Sequence, residues 1–139
     1  MKTYRQSIGK WGEGLAADYL QERGYIILDR NARTPYGEID LVARQELIRS
    51  GLLQMGVVDR SYVTVFVEVK TRSSSSFGLP EESITPRKQA HLVAAAQAYL
   101  QAHPEMDGDW RVDVISIQRS HSRQPPVITH FENAITVLS

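Results

Sequence analysis

The chain has 139 residues, the length of one domain, and its 42% hydrophobic and 23% charged residues match a chain that folds around a single core, which excludes an intrinsically disordered protein. Sixteen basic and sixteen acidic residues cancel, which excludes a protein that grips nucleic acid by bulk positive charge, although an enzyme needs such charge only around its cleft. Without cysteine there is no disulfide framework, thiolate metal site or cysteine nucleophile; with no apolar run behind Met1–Lys10 and no stretch of membrane-spanning length, the expected location is the cytoplasm.

Ile8, Trp11, Leu15 and Tyr19 recur at helical spacing, with Ala16 and Leu20 widening the stripe, and predict a helix over Ile8–Arg23 closed by Gly24. Tyr25–Leu28 reads as a short strand, Asn31–Gly37 as a turn because of Pro35 and Gly37, and Gly37–Ala43 as a second strand. In that strand a period of two puts Glu38, Asp40 and Val42 on one face and Ile39, Leu41 and Ala43 on the other. The irregular segment at about 44–61 is expected to be a long hairpin loop.

Tyr62–Lys70 is the clearest strand, with Val63, Val65, Val67 and Val69 on one face and Thr64, Phe66, Glu68 and Lys70 on the other. The loop Thr71–Ser83, with serines at 73–76 followed by Gly78 and Pro80, is either mobile or a substrate contact. Thr85 and Pro86 open a helix that Leu92, Ala95, Ala96 and Tyr99 carry to about His103; Trp110–Gln118 and Val127–Val137 read as two more strands. A three-strand meander, a crossover helix and further strand predict one mixed sheet with a helix on each side, an α/β three-layer domain spanning 1–139.

Asp40 and Glu68 stand out because a carboxylate inside an apolar strand is costly without a partner. If their strands pair, axes about 4.8 Å apart let both acids converge on one cation, and oxygen ligands suit magnesium. Lys70 lies about 6.6 Å further along the same face, where an ammonium can neutralise a developing phosphorane or position or deprotonate a water. Glu13, beside the buried stripe of the first helix, either reaches this site or complements the helix dipole. The alternative for the whole set is a solvated ion pair on an exposed sheet. His91, His103, His121 and His130 lack metal-ligand spacing, no glycine-rich phosphate loop follows a strand, and Trp11 and Tyr99 read as core residues and not as base-stacking platforms.

The segments Gly37-Glu38-Ile39-Asp40 and Val67-Glu68-Val69-Lys70-Thr71-Arg72 resemble the PD-(D/E)xK nuclease superfamily. Together with Gly9-Lys10-Trp11-Gly12-Glu13, the GEIDLVA and FVEVKTRSS runs, Phe77-Gly78 and the Lys88 helix, nearly the whole chain resembles the YraN-like family of uncharacterised predicted endonucleases. The resemblance implies a restriction-endonuclease-like three-layer fold with a mixed five-stranded central sheet flanked by helices, in the order α-β-β-β-α-β-β. It implies Asp40 and Glu68 as metal-binding acids, Val69 as a carbonyl ligand, Lys70 as the catalytic lysine and Glu13 as the first-helix acid.

The same resemblance implies Mg2+ or Mn2+ as cofactor and DNA as partner, branched or single-stranded DNA included, since archaeal Holliday-junction resolvases share the layout. Lys88 is expected to help orient water or phosphate, and Arg72, Arg87, Lys88 and Arg33 to ring the acids with positive charge. A homodimer would suit an enzyme that makes two cuts. Two departures stand: Ile39 occupies the place of the superfamily's proline, and the loop at 44–61 is longer than the family's tight hairpin. The competing expectations are a nucleic-acid-binding or protein-interaction module with little catalysis, and a hydrolase of another phosphate ester.

Overall fold

Thr3 starts the first helix: its hydroxyl accepts the Gln6 N–H at 3.2 Å while the Gln6 side chain accepts the Thr3 N–H at 2.9 Å, a reciprocal cap. The helix α1 therefore spans Tyr4–Glu22, beginning one turn before the apolar stripe suggests. The structure, a computed structural model, describes residues 3–48, 56, 60–72, 84–120 and 123–135. After α1 come strands β1 (Ile26–Thr34), β2 (Gly37–Ile48) and β3 (Arg60–Arg72), helix α2 (Pro86–Ala102), a 3-10 turn (Pro104–Met106), and strands β4 (Asp109–Gln118) and β5 (Val127–Phe131). This is the expected order.

The five strands form one sheet in sequence order, antiparallel throughout except for the parallel β3–β4 pair, which α2 connects as the crossover. Val65, Val67, Leu41 and Ile115 pack with Ala16, Ala17 and Leu20 of α1 in one core. Phe66, Val42, Val112 and Val114 pack with Leu92, Ala95, Ala96 and Tyr99 of α2 in the other. The alternating pattern of β3 thus feeds both layers, valines toward α1 and Phe66 toward α2.

Three further boundaries differ from expectation. The turn expected at 31–37 is half absorbed into β1, because Asn31 takes a φ of 51° and kinks the strand instead of ending it; Gly37, at φ 131°, completes the shortened turn. The loop expected at about 44–61 is also narrower. Arg44–Ile48 pair with Arg60–Thr64, since ladder hydrogen bonds belong to the main chain and polar side chains do not prevent them; apart from Gly56, the residues between lie outside the described residues. The last strand ends at Phe131, short of Val137, which together with Ser73–Ser83 also lies outside them.

One buried polar network ties the far side of the sheet together. Asp113, fully buried, accepts at Oδ1 from Arg111 at 3.0 Å and from the Asn133 N–H at 2.8 Å, and its Oδ2 accepts from Arg111 at 3.2 Å and lies 2.7 Å from His130 Nε2. Arg111 also donates to Gln45 at 2.8 Å and to the Tyr25 hydroxyl at 2.9 Å. Burial alone would raise the Asp113 carboxyl, but the bonds from His130, Arg111 and Asn133 outweigh it and hold the group below its ordinary 3.8. No helix among the described residues is long and apolar enough to cross a membrane.

Candidate active site

The predicted carboxylates meet where β2 and β3 separate. Pairing between these strands ends at Leu41 opposite Val67; carried one residue further, the register sets Asp40 across from Glu68. Strict alternation also breaks here, because Ile39 and Val42, three residues apart, belong to the same core. The break in β2 lies opposite the kink at Asn31 in β1, with Arg30 facing Leu41 and Ala32 facing Ile39. The expectation that Ile39 and Val42 occupy opposite faces is therefore corrected, and the change releases Asp40 from either core.

Its carboxylate turns into the fork, where Asp40 Oδ2 accepts the Val69 N–H at 2.8 Å. Asp40 thus takes over a donor on the strand edge where the ladder has ended. In an extended strand the N–H and C=O of one residue project to the same side, so the Val69 carbonyl faces the fork as well. Burial, followed by the like charge of Glu68, pushes the Asp40 carboxyl up to about 7; the Val69 N–H opposes this, Glu13 adds to it, and Lys88 opposes it.

Glu68 is buried, and two ammonium groups face it. Lys70 Nζ and Lys88 Nζ each lie 3.7 Å from Glu68 Oε1, the first from the same strand and the second from α2. Lys88 is delivered by the start of that helix. The Thr85 hydroxyl accepts the Lys88 N–H at 3.1 Å, Pro86 occupies the first turn, and buried Ile84 anchors the approach.

On the other side of the sheet, α1 touches β3 through Gly12, where any side chain would strike that of Thr71. This close seat brings Glu13 over β1, and its Oε2 accepts from Asn31 Nδ2 at 3.0 Å. Glu13, Asn31, Lys10, Arg33 and Glu38 line an open groove of about 530 Å³ that begins at this end of α1. Of the expected cationic ring, Lys88 reaches Glu68, Arg33 lines the groove, Arg87 is exposed on the first turn of α2, and the Arg72 carbonyl accepts the Arg119 N–H at 2.8 Å.

Sequence patterns missed Asn31 and Lys10 in this arrangement. An asparagine tolerates a left-handed backbone, a faint signal that the turn reading of residues 31–37 obscured. Trp11 is a further correction. The face of α1 that meets the sheet is Gly12, Ala16, Ala17 and Leu20, so Trp11 stands at the flank, 39% exposed, while Tyr99 is buried as expected. The large apolar residues mark the wrong stripe because close helix-to-sheet contact selects small ones.

Among the described residues, no three of His, Cys, Asp and Glu stand close enough to enclose a metal ion unaided. The donor set is the buried Glu68 carboxylate, the half-buried Asp40 carboxylate and a main-chain carbonyl, all hard oxygens, which fits a magnesium-type cation that keeps water or substrate oxygens in its shell.

Fold and site together define an α/β protein with a carboxylate–lysine cluster at a strand fork. The model of the uncharacterised protein family UPF0102 matches residues 12–117, a stretch that contains Glu13, Asp40, Glu68, Lys70 and Lys88. The chain is 39% identical over 135 residues to a UPF0102 protein of Dehalococcoides mccartyi, covering 97% of this chain and 98% of that one. It is 43% identical over 129 residues to a UPF0102 protein of Syntrophomonas wolfei (93% and 97% covered) and 40% identical over 138 to one of Syntrophotalea carbinolica (99% and 98%). The chain belongs to the UPF0102 family.

Proposed function

We propose that this protein is a metal-dependent endonuclease that hydrolyses phosphodiester bonds in DNA. The observation that carries the reading is the gathering of Asp40, Glu68, Lys70 and Lys88 at one strand fork, beside a groove that holds Lys10 and Arg33. Asp40, Glu68 and the Val69 carbonyl would hold Mg2+ or Mn2+, which when bound polarises a phosphate and lowers the pKa of its water.

The chain's own residues account for the remainder. Lys70 and Lys88 balance Glu68 in the free protein, and an arriving phosphate offers them anionic oxygens in its place. Lys70, on the same strand as Glu68, is the group placed to stabilise charge on the phosphorus or to orient the attacking water. Lys10 and Arg33 bind flanking phosphates, while Glu13, oriented by Asn31, adds a further acid next to the fork.

The test is incubation of the pure protein with branched, nicked and single-stranded DNA under Mg2+ and Mn2+. Cutting that chelator abolishes and Lys70→Ala lowers at least about a hundredfold is expected. Absence of cutting on every substrate with both metals overturns it. A second reading, a nucleic-acid-binding module with little catalysis, draws on the fact that Glu68 already has two cationic partners; binding that persists in an Asp40→Ala, Lys70→Ala variant of an inactive parent would establish it.

A further inference from the structure

On the flank of α1 opposite Glu13, two aromatic rings and a guanidinium meet in solvent. Tyr4 and Trp11, two helical turns apart on one stripe, are 73% and 39% exposed. Arg119, just beyond β4, places its guanidinium 3.4 Å from the Tyr4 hydroxyl and 6.0 Å from the centre of the Trp11 ring. Large exposed rings with a cation between them lack the burial that would explain them as packing, and they match the chemistry of a base resting on a π-face with its phosphate on an arginine.

The patch belongs to the same edge of the sheet as the carboxylate site. Strands β3 and β4 run parallel, with Lys70 beside Ser116 and Arg72 beside Gln118, so their C-terminal ends emerge together. The Arg119 N–H donates to the Arg72 carbonyl at 2.8 Å, which pins the arginine two residues, about 6.6 Å of strand, beyond Lys70. Gly12 seated on Thr71 holds Trp11 above that edge.

We propose that Tyr4, Trp11 and Arg119 form a stacking platform for an unpaired nucleotide of a DNA strand bound at the fork. The inference rests on the nuclease reading for its choice of ligand, and it adds a substrate class: DNA with single-stranded character next to the bond cut. Inside a duplex both faces of each base are already stacked, so along its length the platform has nothing to hold.

Trp11 and Trp110 are the two tryptophans, and Trp110 packs at the α2 core, 5.9 Å from Phe66. In a Trp110→Phe protein with chelator present, single-stranded oligothymidine is expected to quench the fluorescence of Trp11, and a blunt duplex of equal length is not. Trp11→Ala in the native background should weaken single-strand binding about 5- to 100-fold and leave duplex binding within about twofold. Trp11→Phe, which keeps a ring, should recover most of the loss and guards against misfolding; Arg119→Ala should weaken single-strand binding as well.

Unchanged single-strand affinity in Trp11→Ala overturns the proposal, as does a Trp11→Ala variant that loses self-association and nothing else, which would make the patch a contact between copies. Quenching and weakened binding without any metal-dependent cutting would defeat the nuclease reading and leave the platform standing. Cutting of branched DNA that ignores Trp11 would do the reverse.

Discussion

At the scale of single residues, Asp40 concentrates the competing demands of the site. Its carboxylate satisfies the Val69 N–H, yet it is half-buried beside Glu68 and Glu13, both of which repel its charge. Asp40→Asn preserves an acceptor for Val69 and removes that repulsion. The metal-free variant should therefore melt at a higher temperature than the parent at pH 8, while the metal-dependent cleavage proposed above is expected to fall at least about a hundredfold. Thermal unfolding in chelator and a cleavage assay read the two effects separately; a variant that is both less stable and fully active would refute this account of Asp40.

At the scale of elements, the site depends on how closely α1 lies on β3. Replacing a mid-helix glycine with alanine ordinarily stabilises by up to about 1 kcal/mol, and Gly14, with open space beside it, should behave that way. Gly12 should not. A methyl group there meets the Thr71 side chain, so Gly12→Ala is expected to cost about 1–3 kcal/mol and to shift Glu13 from Asn31, with part of the loss recovered by Thr71→Ala. Urea denaturation of the three variants checks the order, and a stabilising Gly12→Ala would show that the helix has room to spare.

At the scale of the whole molecule, the Asp113 network links β2, β4 and β5 with the entry to β1, so its loss is felt globally. Asp113 is held below its ordinary value in the folded state. Its contribution is therefore complete above about pH 3.8 and disappears as pH falls through the lower folded value. The melting temperature should drop steeply below about pH 4. Asp113→Asn, which leaves half-buried Arg111 without its counter-charge, should cost about 3–5 kcal/mol at neutral pH and flatten that acid limb. Calorimetry across the acid range decides it; an unchanged acid limb would show that other carboxylates govern acid unfolding.

The sequence by itself determined the order of elements, the division of β3 into a valine face and a Phe66–Glu68–Lys70 face, and the start of α2 at Thr85 and Pro86, because periodicity and capping are local properties of the backbone. It also singled out Asp40, Glu68 and Lys70 through motif resemblance. Tertiary structure alone decided that left-handed Asn31 lies opposite the break in alternation at Asp40, that Lys88 arrives beside Glu68 from a distant helix, and that Gly12, not Trp11, faces the sheet. Each of those depends on which surfaces meet and how closely. A helical or strand period specifies the spacing of side chains within one segment, but carries no information about the partner that will cover them.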